Sequence, residues 1–305
     1  MKLIKQSFEI LEQKDFSLVG IKKFIERCGR VCYKSEDRIT DDSYGKFVNM
    51  LEKRDHARPL EFGTVHLRIA SGMLFEEFLQ DLVDCELYNP IWIKYKKLPE
   101  YTYITTNYRH YLQIIKKCPY IAKYFTEQDN CYYPSRYTVH MILSRGIMDE
   151  FRTHVGLSHL AESTRYCNYS KDKFNNELTF VIQDWMENVR EGTFDDTLGR
   201  DCSWFPTDGG DGLCLNDKEG CVLGTWNKAE SEYLDGLKCG LTPQQAREVL
   251  PLSVKSELIS CGFEDAWSNF FYRRCDNAAH PMARELACGL KEEFIKRNYI
   301  DCKKS

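Results

Sequence analysis

The chain has 305 residues, a formal net charge of -4, 43% hydrophobic and 29% charged residues, the proportions of a soluble globular protein. That length supports a substantial core, as one large domain or two ordinary ones, and no run of about 18 apolar residues is present to span a membrane. A negative balance gives no general attraction to a nucleic-acid polymer, so phosphate binding has to come from local basic clusters.

The segment Met1-Lys2-Leu3-Ile4-Lys5-Gln6 lacks the apolar core of a secretion signal, and a cytoplasmic location is expected. The fourteen cysteines contain no C-x-x-C pair and no companion histidine spacing. They are expected to be reduced thiols, with Cys28, Cys32 and Cys288 as small apolar fillers on helix stripes; neither a zinc module nor a disulfide framework is expected.

Residues 2 to 11 read as a first strand. Ser17 is placed to cap a helix whose Leu18, Ile21, Ile25, Cys28 and Cys32 share one face. Thr40, followed by Asp41 and Asp42, opens a second helix with Tyr44, Phe47, Val48 and Leu51 on its buried side. After a turn from His56 to Glu61, Val65, Leu67 and Ile69 alternate with Thr64, His66 and Arg68, the period of a half-buried strand. Residues 71 to 133 hold a helical stripe (Leu74, Phe75, Phe78, Leu79, Leu82) and a strand-like piece from Tyr101 to Tyr108, expected to pack on the same core. Arg136 to Leu143 reads as a strand, Gly146 to His154 as a short helix and Glu177 to Gln183 as another strand. The run Trp204 to Gly212 is a loop by composition, without the ligand ladder of a calcium loop. Val222 to Leu237 follows as an amphipathic helix, and Thr242 with Pro243 starts another that Pro251 stops. A strand over 252 to 260 and helices over Phe263 to Arg274 and Pro281 to Arg297 close the chain.

The densest chemistry lies in Arg152-Thr153-His154 and in Ser158-His159-Leu160-Ala161-Glu162-Ser163-Thr164-Arg165-Tyr166. Ser163, Thr164 and Arg165 can present two hydroxyls, consecutive backbone N–H groups and a fork-shaped cation to one phosphate. The same residues also suit a solvated turn whose arginine pairs with a neighbouring acid. Both readings stand on this stretch alone.

The stretch resembles the flavin-dependent thymidylate synthases. Ser158, Ser163, Arg165 and Tyr166 fall on the second half of that family's RHRxxSxxxxSxRY signature, and His154 falls on its histidine. Gly29-Arg30-Val31-Cys32-Tyr33 looks like the family's first-helix segment, and His56-Ala57-Arg58-Pro59-Leu60-Glu61 resembles its His-Glu-x-Pro-x-Glu turn. Ala246 to Leu252, then Asn269, Arg274 and Ala279-His280-Pro281, resemble its closing segment. The resemblance implies one α+β domain over residues 1–305, with a twisted central sheet, packed helices and two insertions at about 71–133 and 187–240. It implies a homotetramer with sites between subunits. The implied reaction is reductive methylation of dUMP to dTMP, with 5,10-methylenetetrahydrofolate as one-carbon donor and FAD reduced by NADPH.

Carried over residue by residue, Arg274 is the catalytic group that faces the uracil ring, where a guanidinium stabilises negative charge without changing protonation. Glu150, Arg152, Glu162, Ser163, Thr164, Arg165 and Arg247 join it around dUMP, Arg247 from a neighbouring subunit. His56, Arg58, Thr153, His154 and Asn269 match the FAD side, and no metal is implied. The chain departs from the family at Thr153 and Val155, where the signature has its two arginines, and at Leu160 and Ala161. Arg152 and Glu162, one position away, are candidates to replace the lost cation and carboxylate. These departures leave open a C5-modifying enzyme for another pyrimidine nucleotide, or a nucleotide-binding protein that has lost catalysis.

Overall fold

Lys5 and Gln6 break the expected first strand in two. The Lys5 backbone N–H donates to the Glu191 carboxylate at 2.8 Å, and the Gln6 amide nitrogen donates to Met282 O at 2.9 Å. The result is β1 (Lys2–Ile4) and β2 (Ser7–Leu11), which enter different sheets. The computed structural model describes residues 1–165, 167–171, 174–195, 205–206 and 212–300. Most of the expected loop from Trp204 to Gly212 therefore lies outside the described residues.

Helix α1 (Leu18–Tyr33) begins as its sequence predicts, with Ser17 Oγ accepting from Gly20 N at 3.1 Å. Its buried face starts at Ile21, since Leu18 in the first turn is 44% exposed. Helix α2 (Ser43–Lys53) starts later than Thr40, because the Thr40 N–H is captured by Ser43 Oγ at 2.9 Å and the acids form a turn. A 3-10 turn over Arg58–Phe62 leads into β3 (Thr64–Ala70). That strand is covered on both faces over most of its length, because the ring of His66 is stacked between Phe16 and Tyr133.

The segment from 71 to 133 contributes α3 (Met73–Asp84), β4 (Ile93–Lys97), β5 (Tyr101–Asn107), α4 (Tyr108–Lys117) and β6 (Phe125–Thr126). Its strands flank β3 in the order β4-β5-β3-β6. Phe75, Phe78, Ile104 and Ile114 share one apolar cluster with Ile21 of α1, Leu51 of α2 and Leu67 of β3. The chain then forms β7 (Arg136–Ser144), α5 (Arg145–Phe151), β8 (Ser158–Ala161), β9 (Thr179–Val181), β10 (Gly192–Asp195) and β11 (Phe205–Pro206). It ends with α6 (Asp217–Lys238), α7 (Pro243–Ala246), β12 (Lys255–Phe263), α8 (Glu264–Arg274) and α9 (Pro281–Lys296).

The protein is a mixed α+β fold. In place of one central sheet, the described residues form three sheets of four strands, the second ordered β2-β7-β12-β8 and the third β11-β10-β1-β9. The second sheet positions the chemistry. Val139 and Met141 of β7 pack with Trp267 and Phe270 of α8 and Leu290 and Phe294 of α9, so the sheet lies on a rigid aromatic layer. Strand β8 pairs antiparallel with β12 from Ser158 opposite Cys261 to Ala161 opposite Leu258. The signature stretch is thus an edge strand for its first four residues, Ser158–Ala161, and the chain leaves from its end into Glu162 to Arg165. Twelve cysteines are free thiols, Cys202 and Cys302 lying outside the described residues. No described helix is long and apolar enough to cross a membrane.

Candidate functional site

Where β8 ends, the chain opens onto a pocket of about 460 Å³. Its lining gathers the C-terminal end of α1 (Cys32, Tyr33), the turn before β3 (His56, Arg58, Pro59), both ends of α5 (Arg145, Arg152), the run His159 to Arg165, and Arg247 just after α7. Five stretches of the sequence, from Cys32 to Arg247, thereby meet. The join is made by Glu61, fully buried, which accepts from Arg109 at 2.6 Å, Arg58 at 3.2 Å and the Ser158 hydroxyl at 2.6 Å. A buried carboxylate needs such donors, and here they lock the turn after α2 against β8.

Within the run, Thr164 is buried and Arg165 is exposed, with its Nε donating to Gln244 Oε1 at 3.2 Å. The Ser163 N–H donates to Cys32 O at 3.3 Å, so it is a tie to α1 and not a free anion donor. Arg247 donates to the neighbouring Glu248 at 3.3 Å. Arg145 and Arg152 share a single carboxylate, Asp149, at 3.2 and 3.5 Å. Tyr33 hydrogen-bonds the His56 ring at the pocket's edge.

Glu162 faces inward from the same run. Its side chain is fully buried, accepting from Lys255 Nζ at 2.9 Å and the Tyr169 hydroxyl at 3.2 Å. Lys255 also pairs with Glu257, which in turn pairs with Lys34 and accepts from His140 at 2.9 Å. Burial works against the Lys255 charge, but Glu162 and Glu257 outweigh it and hold the ammonium above its ordinary range. Glu257 is likewise penalised by burial and yet driven far below the carboxylate range by His140, Lys255 and Lys34. Burial and then the Glu162 charge push the Cys32 thiol up to about 12, so it is a neutral wall of the pocket.

Arg274 lies in a second cluster, apart from the pocket lining. Its Nε donates to His154 Nε2 at 2.6 Å, one terminal nitrogen to the Glu150 carboxylate at 2.8 Å, and the other to Glu150 O at 2.7 Å and Thr153 Oγ1 at 3.3 Å. His154 is held neutral, its pKa lowered to about 4 by burial and then by the Arg274 cation. Asn269 lines a separate apolar cavity of about 540 Å³ with Val155, Tyr88 and Ile91, and its amide oxygen accepts from Arg273 at 3.4 Å.

The structure therefore brings Arg152, Glu162, Ser163, Thr164, Arg165, Arg247, His56 and Arg58 together, and sets Glu150, Arg274, Thr153 and His154 in a neighbouring cluster and Asn269 in a third place. His159 links the first two. It lines the pocket, donates from Nε2 to His154 O at 3.3 Å, and accepts from Ser260 at 2.8 Å. Burial and the cations of Arg152 and Arg58 lower its pKa to about 4. His159, Arg145 and Lys255 fall on no signature position, so the sequence assigns them no role. The signal for Lys255 is the Lys-x-Glu spacing to Glu257 at the start of the strand, which places both side chains on one face. Among the described residues no group of three or more His, Cys, Asp or Glu side chains could hold a metal ion.

The edge strand β8 thus leads directly into a pocket lined by Arg58, Arg145, Arg152, Arg165 and Arg247 with the hydroxyls of Ser163 and Thr164. The sequence profile of the thymidylate synthase complementing protein family (Thy1) matches residues 134–297, more than half of the chain, which therefore belongs to that family. A flavin-dependent thymidylate synthase of Synechocystis sp. is 32% identical over 71 residues, 23% of this chain and 33% of that protein, so the match spans a third of the relative's length. Among solved structures, the UMP/dUMP methylase PolB from Streptomyces cacaoi bound with 5-Br dUMP aligns over 97% of this chain and 93% of its own, at 16% identity and a TM-score of 0.41. The same methylase bound with 5-Br UMP gives 12% identity and a TM-score of 0.42, over 97% and 92% of the two chains.

Proposed function

We propose that the chain methylates C5 of dUMP to give dTMP, with 5,10-methylenetetrahydrofolate as one-carbon donor and FAD, reduced by NADPH, as the source of electrons. One observation carries the nucleotide half of this reading: Ser163, Thr164, Arg165 and Arg247 converge on one pocket from elements more than eighty residues apart. A guanidinium stays charged at any working pH and offers paired donors to a phosphate, which suits Arg165 and Arg247 to its oxygens. Ser163 and Thr164 add neutral donors from the same turn. Glu162, turned inward to Lys255, does not repel the anion from the pocket face.

The residues matched to FAD do not gather in one chain. Thr153 and His154 are engaged with Arg274 and Glu150, and Asn269 lines another cavity. A dinucleotide's two phosphates need cations at positions 153 and 155, and this chain offers a tied hydroxyl and Val155, which is 78% exposed. Within one chain, therefore, the residues matched to FAD do not by themselves form a complete site for it. FAD, NADPH and the folate enter the proposal from the chemistry of the family. The same departures motivate a second reading, C5 modification of another pyrimidine nucleotide.

The test is calorimetric titration with dUMP, followed by release of tritium from C5 of labelled dUMP with FAD, NADPH and methylenetetrahydrofolate supplied. Binding is expected, weakened at least about tenfold by Arg165→Gln through loss of charge-assisted bonds, with tritium release that depends on added FAD. Faster turnover of UMP or dCMP moves the substrate to the second reading. Binding without turnover under any of these conditions leaves a nucleotide-binding protein, and no binding at all rejects the site.

A further inference from the structure

We propose that Lys255, part-buried on β12 and absent from the lining of the nucleotide pocket, is a positioning residue that fixes the phosphate-binding turn by holding Glu162. The proposal rests on the nucleotide reading above. Glu162 is the first residue after β8 and the immediate neighbour of Ser163. It is tied three ways: its N–H donates to Glu257 O at 2.8 Å, and its carboxylate accepts from Lys255 Nζ at 2.9 Å and the Tyr169 hydroxyl at 3.2 Å. The far end of the turn is closed by neutral bonds, Cys167 N to Ser163 O at 3.0 Å and the Tyr233 hydroxyl to Cys167 O at 3.5 Å. A buried acid thus ties the entrance to a cation anchored on β12, the strand that pairs with both β7 and β8.

A buried ion pair is weak evidence for stability, since apolar side chains of the same volume often pack as well. What a charged pair adds is a single favoured arrangement, and here the arrangement sets where Ser163, Thr164 and Arg165 stand. The groups that face Glu162 are Lys255 and Tyr169 in direct contact and the Cys32 thiol from α1, with Glu257, Lys34 and His140 behind Lys255. With Lys255 removed, no other cation among the described residues touches the Glu162 carboxylate. Buried without a counter-charge, it takes up a proton more readily. The turn then holds its place while Glu162 is neutral and loses it as rising pH ionises the acid.

The full-length protein, Lys255→Met and Lys255→Met/Glu162→Gln are compared by dUMP calorimetry at about pH 7 and about pH 8.5, with amide hydrogen exchange on the ligand-free proteins. Lys255→Met is expected to weaken dUMP binding at least about tenfold at the higher pH and less at the lower, and to speed exchange at the Ser163 and Cys167 amides. The double variant is expected to bind within about threefold of the parent at both pH values, because a neutral amide needs no counter-charge. Parent-like affinity in Lys255→Met overturns the proposal. So does a loss that is equal at both pH values and unrelieved in the double variant, which marks the lysine as only structural. If Lys255→Met does not fold, Lys255→Gln is compared with Lys255→Gln/Glu162→Gln: weakened dUMP binding that the double variant relieves supports the tie, and parent-like affinity in Lys255→Gln overturns it. If the parent itself binds no dUMP, the nucleotide reading fails, while exchange at Ser163 and Cys167 still reports on Lys255.

Discussion

Glu61 shows how much one buried acid can organise. With no solvent exposure and donors from Arg58, Arg109 and Ser158, it joins the turn after α2 to the edge strand that leads into Ser163 to Arg165. Removing one partner of such a group leaves the others without compensation, at a cost of about 3 to 5 kcal/mol. Glu61→Ala is therefore expected to lower the unfolding free energy by about 3 kcal/mol in urea titration and to weaken dUMP binding, because Ser158 loses its anchor. A loss under about 1 kcal/mol would mean that Arg58 and Arg109 simply return to water. The contrast with Glu162 is instructive. Both are buried acids beside the pocket, but the turn from His56 to Glu61 made Glu61 visible in the sequence as a motif position, whereas the Lys255 partner of Glu162 lies 93 residues further along the chain.

At the level of elements, local patterns carried α1, β3, β7, α8 and α9 from the sequence nearly to their observed ends. Those signals are short-range: a serine cap, a period of two, an apolar stripe. Three features depended on distant partners and could not be read. The first strand breaks because Glu191 and Met282 capture Lys5 and Gln6. The Ser158 stretch becomes a strand because β12 pairs with it. Arg274 at the end of α8 turns to Glu150 and His154 near the end of α5, a choice among partners that spacing does not express. This last arrangement carries a prediction about assembly. Arg165 and Arg274 belong to different clusters of one chain, so if one dUMP engages both, through its phosphate and its ring, they are expected to come from different subunits. Inactive Arg165→Gln and Arg274→Gln proteins, unfolded and refolded together, are expected to regain about a quarter of the parent's tritium release, the share of interfaces at which neither variant residue falls. No recovery in the mixture, with both variants folded, places the two arginines in one chain's site or leaves Arg274 as a latch between α5 and α8.

For the molecule as a whole, the buried histidines set the response to acid. His66 lies stacked between Phe16 and Tyr133, at ring distances of 4.4 and 4.0 Å, and donates from Nδ1 to Gln128 O at 3.1 Å. Burial, with Arg136 as a lesser cause, lowers its pKa to about 4 against the bond to Gln128. His154 and His159 are lowered to about 4 as well, and burial lowers His110. Unfolded histidine titrates near about 6.5, so between these values the unfolded chain binds more protons than the folded one. Stability from these groups is complete above about pH 6.5 and is lost as pH falls from there towards about 4. Glu257, held far below the carboxylate range, extends the loss to more acid conditions, while burial raises Asp129 and Glu177 and gives a smaller effect of opposite sign. The urea midpoint is therefore expected to hold steady from about pH 8 to about pH 7 and to fall steeply by about pH 4.5. His66→Phe keeps an aromatic ring between Phe16 and Tyr133 but carries no proton, so its midpoint should fall less over the same interval. A midpoint that is flat through the histidine range, or a His66→Phe slope equal to the parent's, would show that these rings are hydrated enough to take up protons in the folded state.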